Sequence, residues 1–500
     1  MGAALKMLFN SIPFLLFFPI VACLYLVLPK KANYVWLLLA SYYFYMSWNP
    51  KYVVLILFTT VVTYVTGLLI GSGKTSGNRR LWMIVGLVLN FGLLFFFKYF
   101  DFFLKNINRV LSLAKITAID NPFDILLPVG ISFYTFQAVG YCIDVYRGDI
   151  KAEKNFIKYA LFVSFFPQLV AGPIERSKNL LVQIDRMGRE RLWNRDKAVS
   201  GFGMMLWGLF MKMVIADRVS IFVDNVFSMA YTAGTVETVL GAMAFSLQIY
   251  ADFAGYSAVA IGAARVMGFD LMENFNTPYF ATSIPDFWHR WHISLSTWFR
   301  DYVYIPLGGN RKGRARKYLN IMVTFLVSGL WHGAAWSYVV WGGIHGIYQV
   351  TGDLLKPVKT KLVSVLHLKK DSFGHKAGQI FVTYILVVFA WIFFRADSLG
   401  DAFFYIRRMF THPNFWTLFD ESIYTWGLDR REAGVLFAAI LALVLVSVVR
   451  YKKGIDIGSF LLKQDLWFRW VIFIVLIIAI IVFGEYGIDF DSNKFIYFDF

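Results

Sequence analysis

Cysteine is almost missing: the 500 residues include only Cys23 and Cys142. Both lie in apolar runs, with no CxxC pair and no partner spacing, so neither a disulfide framework nor a thiolate metal site has support. Cys142 reads as a buried core thiol rather than a nucleophile. Charge is also scarce, at 16% of residues against 58% hydrophobic, with a mean hydropathy of +0.57. Soluble globular domains are not built this way; the composition is that of a polytopic helical membrane protein. No Walker A, GxGxxG, HExxH or GxSxG pattern occurs, which removes the basis for ATPases, dinucleotide enzymes and serine hydrolases. No soluble domain, low-complexity tract or periodic repeat interrupts the chain, so 1–500 reads as one membrane-embedded domain.

What is present is a series of apolar helical runs. They fall at about 8–28, 33–48, 52–70, 81–104, 126–145, 156–172, 198–226, 237–264, 319–331, 334–352, 377–394, 433–449 and 467–484. The first is a retained helix rather than a removed signal peptide, because no small-residue cleavage site follows it. The net charge of +17 sits in loops between the runs. That is the positive-inside pattern of membrane topology, and it argues against nucleic acid as a partner. Carrying the Lys/Arg loops forward puts the N-terminus outside the cytoplasm. The tail 485–500, with Glu485, Asp489, Asp491 and Asp499 against Lys494, falls outside as well.

Two runs do not fit as single spans. The loop 176–197 is basic and should be cytoplasmic, so 156–172 should enter and return, broken near Pro167 or Gly172-Pro173. The loops 265–317 and 356–376 are both basic, which makes 319–352 a hairpin with its tip in the membrane. The apolar part of its first arm has about 12 residues, which at about 1.5 Å each climbs roughly half of the hydrocarbon core. His332-Gly333 sits at the expected turn.

A histidine at membrane depth is expensive and is a functional candidate by default. His332, flanked by Trp331, Gly333 and Trp336, has the chemistry of a general base working between the two sides of a bilayer; the bland alternative is an interhelical hydrogen bond. Upstream, Asp286-Phe287-Trp288-His289-Arg290-Trp291-His292 continues through Trp298 and Arg300 to Gly308-Gly309-Asn310-Arg311. An interfacial helix accounts for the tryptophans and arginines but not for His292. His289 would share a helical face with His292 and takes no role; His345 reads as a packing histidine. The cluster Arg311, Lys312, Arg314, Arg316 and Lys317 has two readings, phosphate recognition on a nucleotide-like donor or positive-inside topology alone. Phe495-Ile496-Tyr497-Phe498-Asp499-Phe500 likewise is either an interfacial anchor or a displayed phenol able to carry a group.

Taken together, several blocks resemble the membrane-bound O-acyltransferases, specifically the bacterial alginate O-acetyltransferase-like branch. They are Leu127-Pro128-Val129-Gly130-Ile131-Ser132-Phe133-Tyr134, Asp144-Val145-Tyr146-Arg147-Gly148, Gln168-Leu169-Val170-Ala171-Gly172-Pro173-Ile174 and Asp252-Phe253-Ala254-Gly255-Tyr256-Ser257. The most specific are the segment Asp286 to Arg311 and the block Leu330 to Trp336, and the resemblance covers nearly the whole chain. It implies an all-α helical bundle with re-entrant hairpins around a central tunnel, in a bacterial cytoplasmic membrane. It also implies acyl transfer from a cytoplasmic donor to an acceptor outside. The family's catalytic histidine falls on His332 and its second polar residue on His292. Ala258 stands where many relatives carry an acid. The terminal Phe-x-Tyr-x-x-Phe is similar to the end of small partner proteins in lipoteichoic acid D-alanylation systems, which makes Tyr497 an acyl-carrier candidate.

The expected reaction uses acetyl-CoA as donor substrate and no bound cofactor or metal. His332 is the base, His292 positions the donor, and Trp331, Trp336, Arg311 and Lys312 are donor-binding candidates. An extracytoplasmic SGNH-type esterase partner would pass the acetyl group to an envelope polysaccharide. Two rivals remain: direct attack by the polysaccharide hydroxyl, and a transporter with a histidine proton relay.

Overall fold

The computed structural model describes residues 7–123, 127–170, 172–369 and 371–486; the tail motif with Tyr497 lies outside the described residues. Among the described residues every regular element is helical. Among the described residues six helices are long and apolar enough to cross a membrane: Pro50–Ser72, Ser76–Leu113, Arg195–Ser228, Phe373–Arg395, Arg430–Lys453 and Leu466–Phe483. The protein is an all-α, polytopic membrane protein. Its chain forms two compact units, Met1–Phe202 with Ala260–Met272, and Gly203–Val259 with Glu273–Phe500.

The first unit contains α1 (Ile12–Val27), α2 (Asn33–Met46), α3 (Val53–Ser72), α4 (Ser76–Leu94), α5 (Phe100–Leu113), α6 (Ile131–Arg147), α7 (Phe156–Ser164), α8 (Phe166–Leu169) and α9 (Ser177–Met187). Short polar side chains start several of them. Ser11 Oγ accepts from the Phe14 amide and Asn155 Oδ1 from the Ile157 and Lys158 amides, which satisfies donors that have no intrahelical partner. The apolar run 81–104 is longer than it reads: a π-turn at Phe95–Tyr99 joins α4 to α5 without a break.

The break expected near Pro167 is there. Helix α7 stops at Ser164, and Pro167 enters the first turn of α8, where its missing N–H costs nothing. The bend is buried, so its polar groups need partners. Gln137 and Gln168 both donate to the Phe162 carbonyl, at 2.7 and 2.8 Å, and Ser41 Oγ accepts from the Phe166 amide at 3.1 Å.

Glu175, just past this bend, is 1% exposed. It accepts from the Met272 amide and from Asn179 Nδ2. Burial pushes its carboxyl up to about 7, against the opposing pull of those hydrogen bonds and of Arg176. A raised carboxyl binds its proton more tightly folded than unfolded. Its contribution therefore favours the fold at low pH and fades as pH rises from about 4.5 through about 7. Glu175→Gln removes that slope. The difference in melting temperature between wild type and variant should then shift in the variant's favour between pH 5 and pH 8; a pH-independent difference would contradict it.

The second unit begins within α10 (Arg195–Phe210) and takes in α11 (Asp217–Ser228) and most of α12 (Thr235–Val266). A π-turn at Met211–Ala216 joins α10 to α11. Gly208 and Gly255 let α10 and α12 touch, since a Cβ on Gly208 would lie 2.5 Å from the Gly255 carbonyl oxygen. Next come α13 (Ile284–Arg290), α14 (Ile293–Phe299), α15 (Gly313–His332), α16 (Trp336–Leu354), α17 (Lys356–Val365), α18 (Phe373–Arg395), α19 (Leu399–Thr411), α20 (Arg430–Lys453), α21 (Ile457–Leu462) and α22 (Leu466–Phe483).

The hairpin α15–α16 turns at the expected place, with α15 ending at His332. Its first arm is longer than its apolar part. Arg314, Arg316 and Lys317 are good helix formers and extend it to 20 residues, about 30 Å. Glycines hold the arms together. A Cβ on Gly342 would strike the Phe325 carbonyl oxygen, and one on Gly329 the Tyr338 carbonyl oxygen. With Gly346 one turn beyond Gly342, this face of α16 is a small-residue seam against α15.

Candidate functional site

The segment 274–293 folds back on itself. The Asn276 amide donates to the Arg290 carbonyl and the Ile293 amide to the Asn274 carbonyl, both at 2.9 Å. Ser294 Oγ adds a 2.6 Å bond to Asn274 Oδ1. This brace holds His292, at φ 43° and ψ 54°, in the left-handed region between α13 and α14. A β-carbon makes that conformation costly, and such cost concentrates at functional positions. His292 is fully buried, and burial holds its imidazole well below the ordinary range, so the ring is neutral. Because the helix breaks at this point, His289 and His292 do not share a helical face.

Trp331 connects the two histidines. Its ring lies 6.2 Å from His292 and 4.9 Å from His332. His332 is 3% exposed, and besides Trp331 it meets Trp341 edge-on at 5.0 Å and Phe394 at 5.5 Å. Phe253 of α12 closes on His292 at 4.7 Å. Trp341 stacks on Trp391 at 5.5 Å, so α12, the turn between α13 and α14, α15, α16 and α18 all contribute to one aromatic enclosure. His345 packs beside it, accepting from Trp288 Nε1 at 3.3 Å, in keeping with a packing role.

Two cavities approach this enclosure. One, of about 320 Å³, follows α15 from Lys317 to Ser328, one turn short of His332, and is also lined by Ile293, His289, Arg300 and Gln349. The other, of about 580 Å³, lies past the end of α15, with Tyr338 and Phe394 in its wall. Those two rings touch at 5.1 Å, and Phe394 in turn faces His332. A buried imidazole thus stands between a cavity with Arg300 and Lys317 at its polar end and a second, more polar one.

The sequence candidates are distributed unevenly around this geometry. Trp331 is within the enclosure, whereas Trp336 opens α16 at 51% exposure and lines neither cavity. Arg311 and Lys312 are exposed in the turn before α15, and the cations that reach the cavity wall are Arg300 and Lys317. Lys317 is held by Asp353 at 2.8 Å. Neither cation stands out in the sequence, since Lys317 is one of a basic run and Arg300 reads as an interfacial arginine beside Trp298. Phe394, Trp341 and Phe253 come from remote segments with no linear pattern to connect them. Among the described residues no group of three His, Cys, Asp or Glu side chains is arranged to hold a metal ion.

Residues 150–396, which carry both histidines, match the model of the MBOAT, membrane-bound O-acyltransferase family. The chain is also 38% identical over 452 residues to a probable alginate O-acetylase of Pseudomonas aeruginosa, covering 89% of this chain and 82% of that one. The chain belongs to the membrane-bound O-acyltransferase family. Other relatives are a peptidoglycan O-acetyltransferase of Helicobacter pylori, 36% identical with 75% and 73% of the two chains covered, and a teichoic acid D-alanyltransferase of Streptococcus thermophilus, 31% identical with 55% and 70% covered. The family assignment makes this chain a multi-pass membrane O-acyltransferase.

Proposed function

We propose that the protein moves an acetyl group from cytoplasmic acetyl-CoA to a hydroxyl on the other side of a bacterial cytoplasmic membrane, for O-acetylation of an envelope or secreted polysaccharide. The observation that carries this reading is His332, buried in an aromatic enclosure that one cavity approaches along α15 and another through Phe394. The names of the relatives supply the polymer class: alginate, peptidoglycan and teichoic acid are the materials they modify.

In the reaction the donor's acyl-bearing arm enters along α15, with its phosphates toward Arg300, Lys317 and the exposed Arg311 and Lys312. The acceptor hydroxyl enters from the Tyr338–Phe394 side. His332 takes the hydroxyl proton as the oxygen attacks the thioester carbonyl carbon, and the C–S bond breaks. The thiolate then recovers the proton from the imidazolium, so donor thioester and hydroxyl become thiol and ester. Neutral His292, with its backbone braced, orients the thioester beside Trp331.

The attacking hydroxyl is assigned to the Tyr497 phenol, with an SGNH-type partner completing transfer to the polysaccharide. The course of the chain supports this. The Glu485 amide donates to the Met213 carbonyl at 3.0 Å, and Arg218 pairs with Glu485 at 2.6 Å. Met213 and Arg218 adjoin Lys212 and Asp217, which line the second cavity. Tyr497 is the twelfth residue after Glu485, a reach of up to about 40 Å when extended.

Purified protein exposed to isotope-labelled acetyl-CoA should carry the label on Tyr497 by peptide mass spectrometry, and Tyr497→Phe should lose it. Donor consumption without tail label would shift the assignment to direct transfer. No donor consumption in the presence of the partner and polysaccharide would refute the acyltransferase mechanism and favour the proton-relay transporter.

A further inference from the structure

Gln248 of α12 is 8% exposed and lines the second cavity, and its buried Oε1 has no hydrogen-bond partner among the described residues. The amide can turn to put its nitrogen in that place instead, and the nitrogen then needs a partner there. A group left unmet in this way carries its full desolvation penalty, which a ligand able to pair with it relieves. The start of α16 faces the same cavity through Ala335, Ser337 and Tyr338. Ala335 has no side chain to cap this 19-residue helix, and first-turn N–H groups have no carbonyl within their own helix to reach. The end is therefore partly positive and favours an oxygen that accepts. Ser337, 2% exposed, adds a hydroxyl. Phe394 joins the two walls: its ring lies 6.5 Å from that of Phe245 on α12 and 5.1 Å from that of Tyr338. The same ring is 5.5 Å from His332, so this part of the cavity is one aromatic ring removed from the base.

We infer that Gln248 and the start of α16 form a subsite for a second group on the acceptor, beside the hydroxyl that is acylated. That group both donates and accepts hydrogen bonds: it pairs with the Gln248 amide and takes a bond from Ser337. The inference rests on the acyl-transfer reading and adds what its acceptor must carry. A neighbouring sugar hydroxyl and a peptide amide share this chemistry. A simple phenol, whose one hydroxyl is engaged by His332, has nothing left to offer.

Equilibrium binding to the full-length protein in detergent tests this without depending on catalysis. The probes are N-acetyltyrosinamide, a neutral glucose oligomer, and para-cresol, which keeps the phenol and lacks the amide. Gln248→Met should weaken at least one of the first two by about tenfold, the effect of one hydrogen bond to a buried group. It should leave para-cresol within about twofold of its wild-type affinity. Loss confined to N-acetyltyrosinamide identifies a peptide amide as the second group, and loss confined to the glucose oligomer a sugar hydroxyl. The same variant should melt no lower than wild type, because methionine keeps the volume and removes a buried oxygen that has no partner. A lower melting temperature would make the amide structural and overturn the inference. So would failure of wild type to bind either of the first two probes, unchanged binding of both in Gln248→Met, or an equal loss for para-cresol. Acetyl transfer measured in parallel reports separately on the acyl-transfer reading. Probe-selective binding without donor consumption sinks that reading alone, whereas transfer in Gln248→Met with an unchanged KM for the acceptor sinks the inference alone.

Discussion

His332→Gln is expected to lower the acyl-transfer rate by about 10²–10⁴-fold, the usual contribution of a positioned general base. Glutamine is preferred to alanine because it fills more of the space among Trp331, Trp341 and Phe394 and limits the cavity left behind. The carboxamide cannot accept a proton at neutral pH, so the chemistry is removed while most of the packing remains. Release of the CoA thiol from acetyl-CoA, followed with a thiol reagent, reads the step directly. The variant should elute and melt like the wild type. Turnover within about threefold of wild type would exclude a proton-transfer role, since such a role predicts a far larger loss.

Lys212→Met is expected to be the most destabilising single change in the second unit. The ammonium is 3% exposed, bridges Asp217 and Asp252, and lies 5.4 Å over the Tyr256 ring. Methionine supplies a similar apolar stem but leaves two buried carboxylates facing each other. Removing one partner from a buried charge pair costs about 3–5 kcal/mol, because the remaining charge keeps its desolvation penalty. Thermal unfolding in detergent should show a clear fall in melting temperature. The triple variant with Asp217→Asn and Asp252→Asn should recover part of it, since no buried charge is then left over. A melting temperature equal to wild type for Lys212→Met alone would mean that the cluster is solvated and contributes little. Lys212 sits in the π-turn Met211–Ala216, a type of helix irregularity found frequently at functional sites, Asp217 follows that turn directly, and both line the second cavity.

Much of this architecture is a local property of the chain, and the sequence by itself determined it. An apolar run has to satisfy its own backbone in a membrane, so helices follow from composition alone. Proline at 167 lacks the amide that a helix interior needs, and the basic loops on both sides of 319–352 require a turn near residue 332, which is why both breaks are readable in advance. The family, too, is legible from short blocks around His292 and His332. The tertiary structure decided the rest. Nothing linear joins Phe253, Trp341 and Phe394 to the histidines, because they arrive on three separate helices. Nor could counting charges separate Arg300 and Lys317, which reach a cavity, from Arg311 and Lys312, which are exposed; direction depends on where the π-turn Arg300–Tyr304 and α15 point their side chains. Gln248 and the Lys212 cluster look ordinary in sequence, and only packing gives them significance. Burial is a property of neighbours remote along the chain, and burial is what makes an unmet oxygen or a paired charge matter.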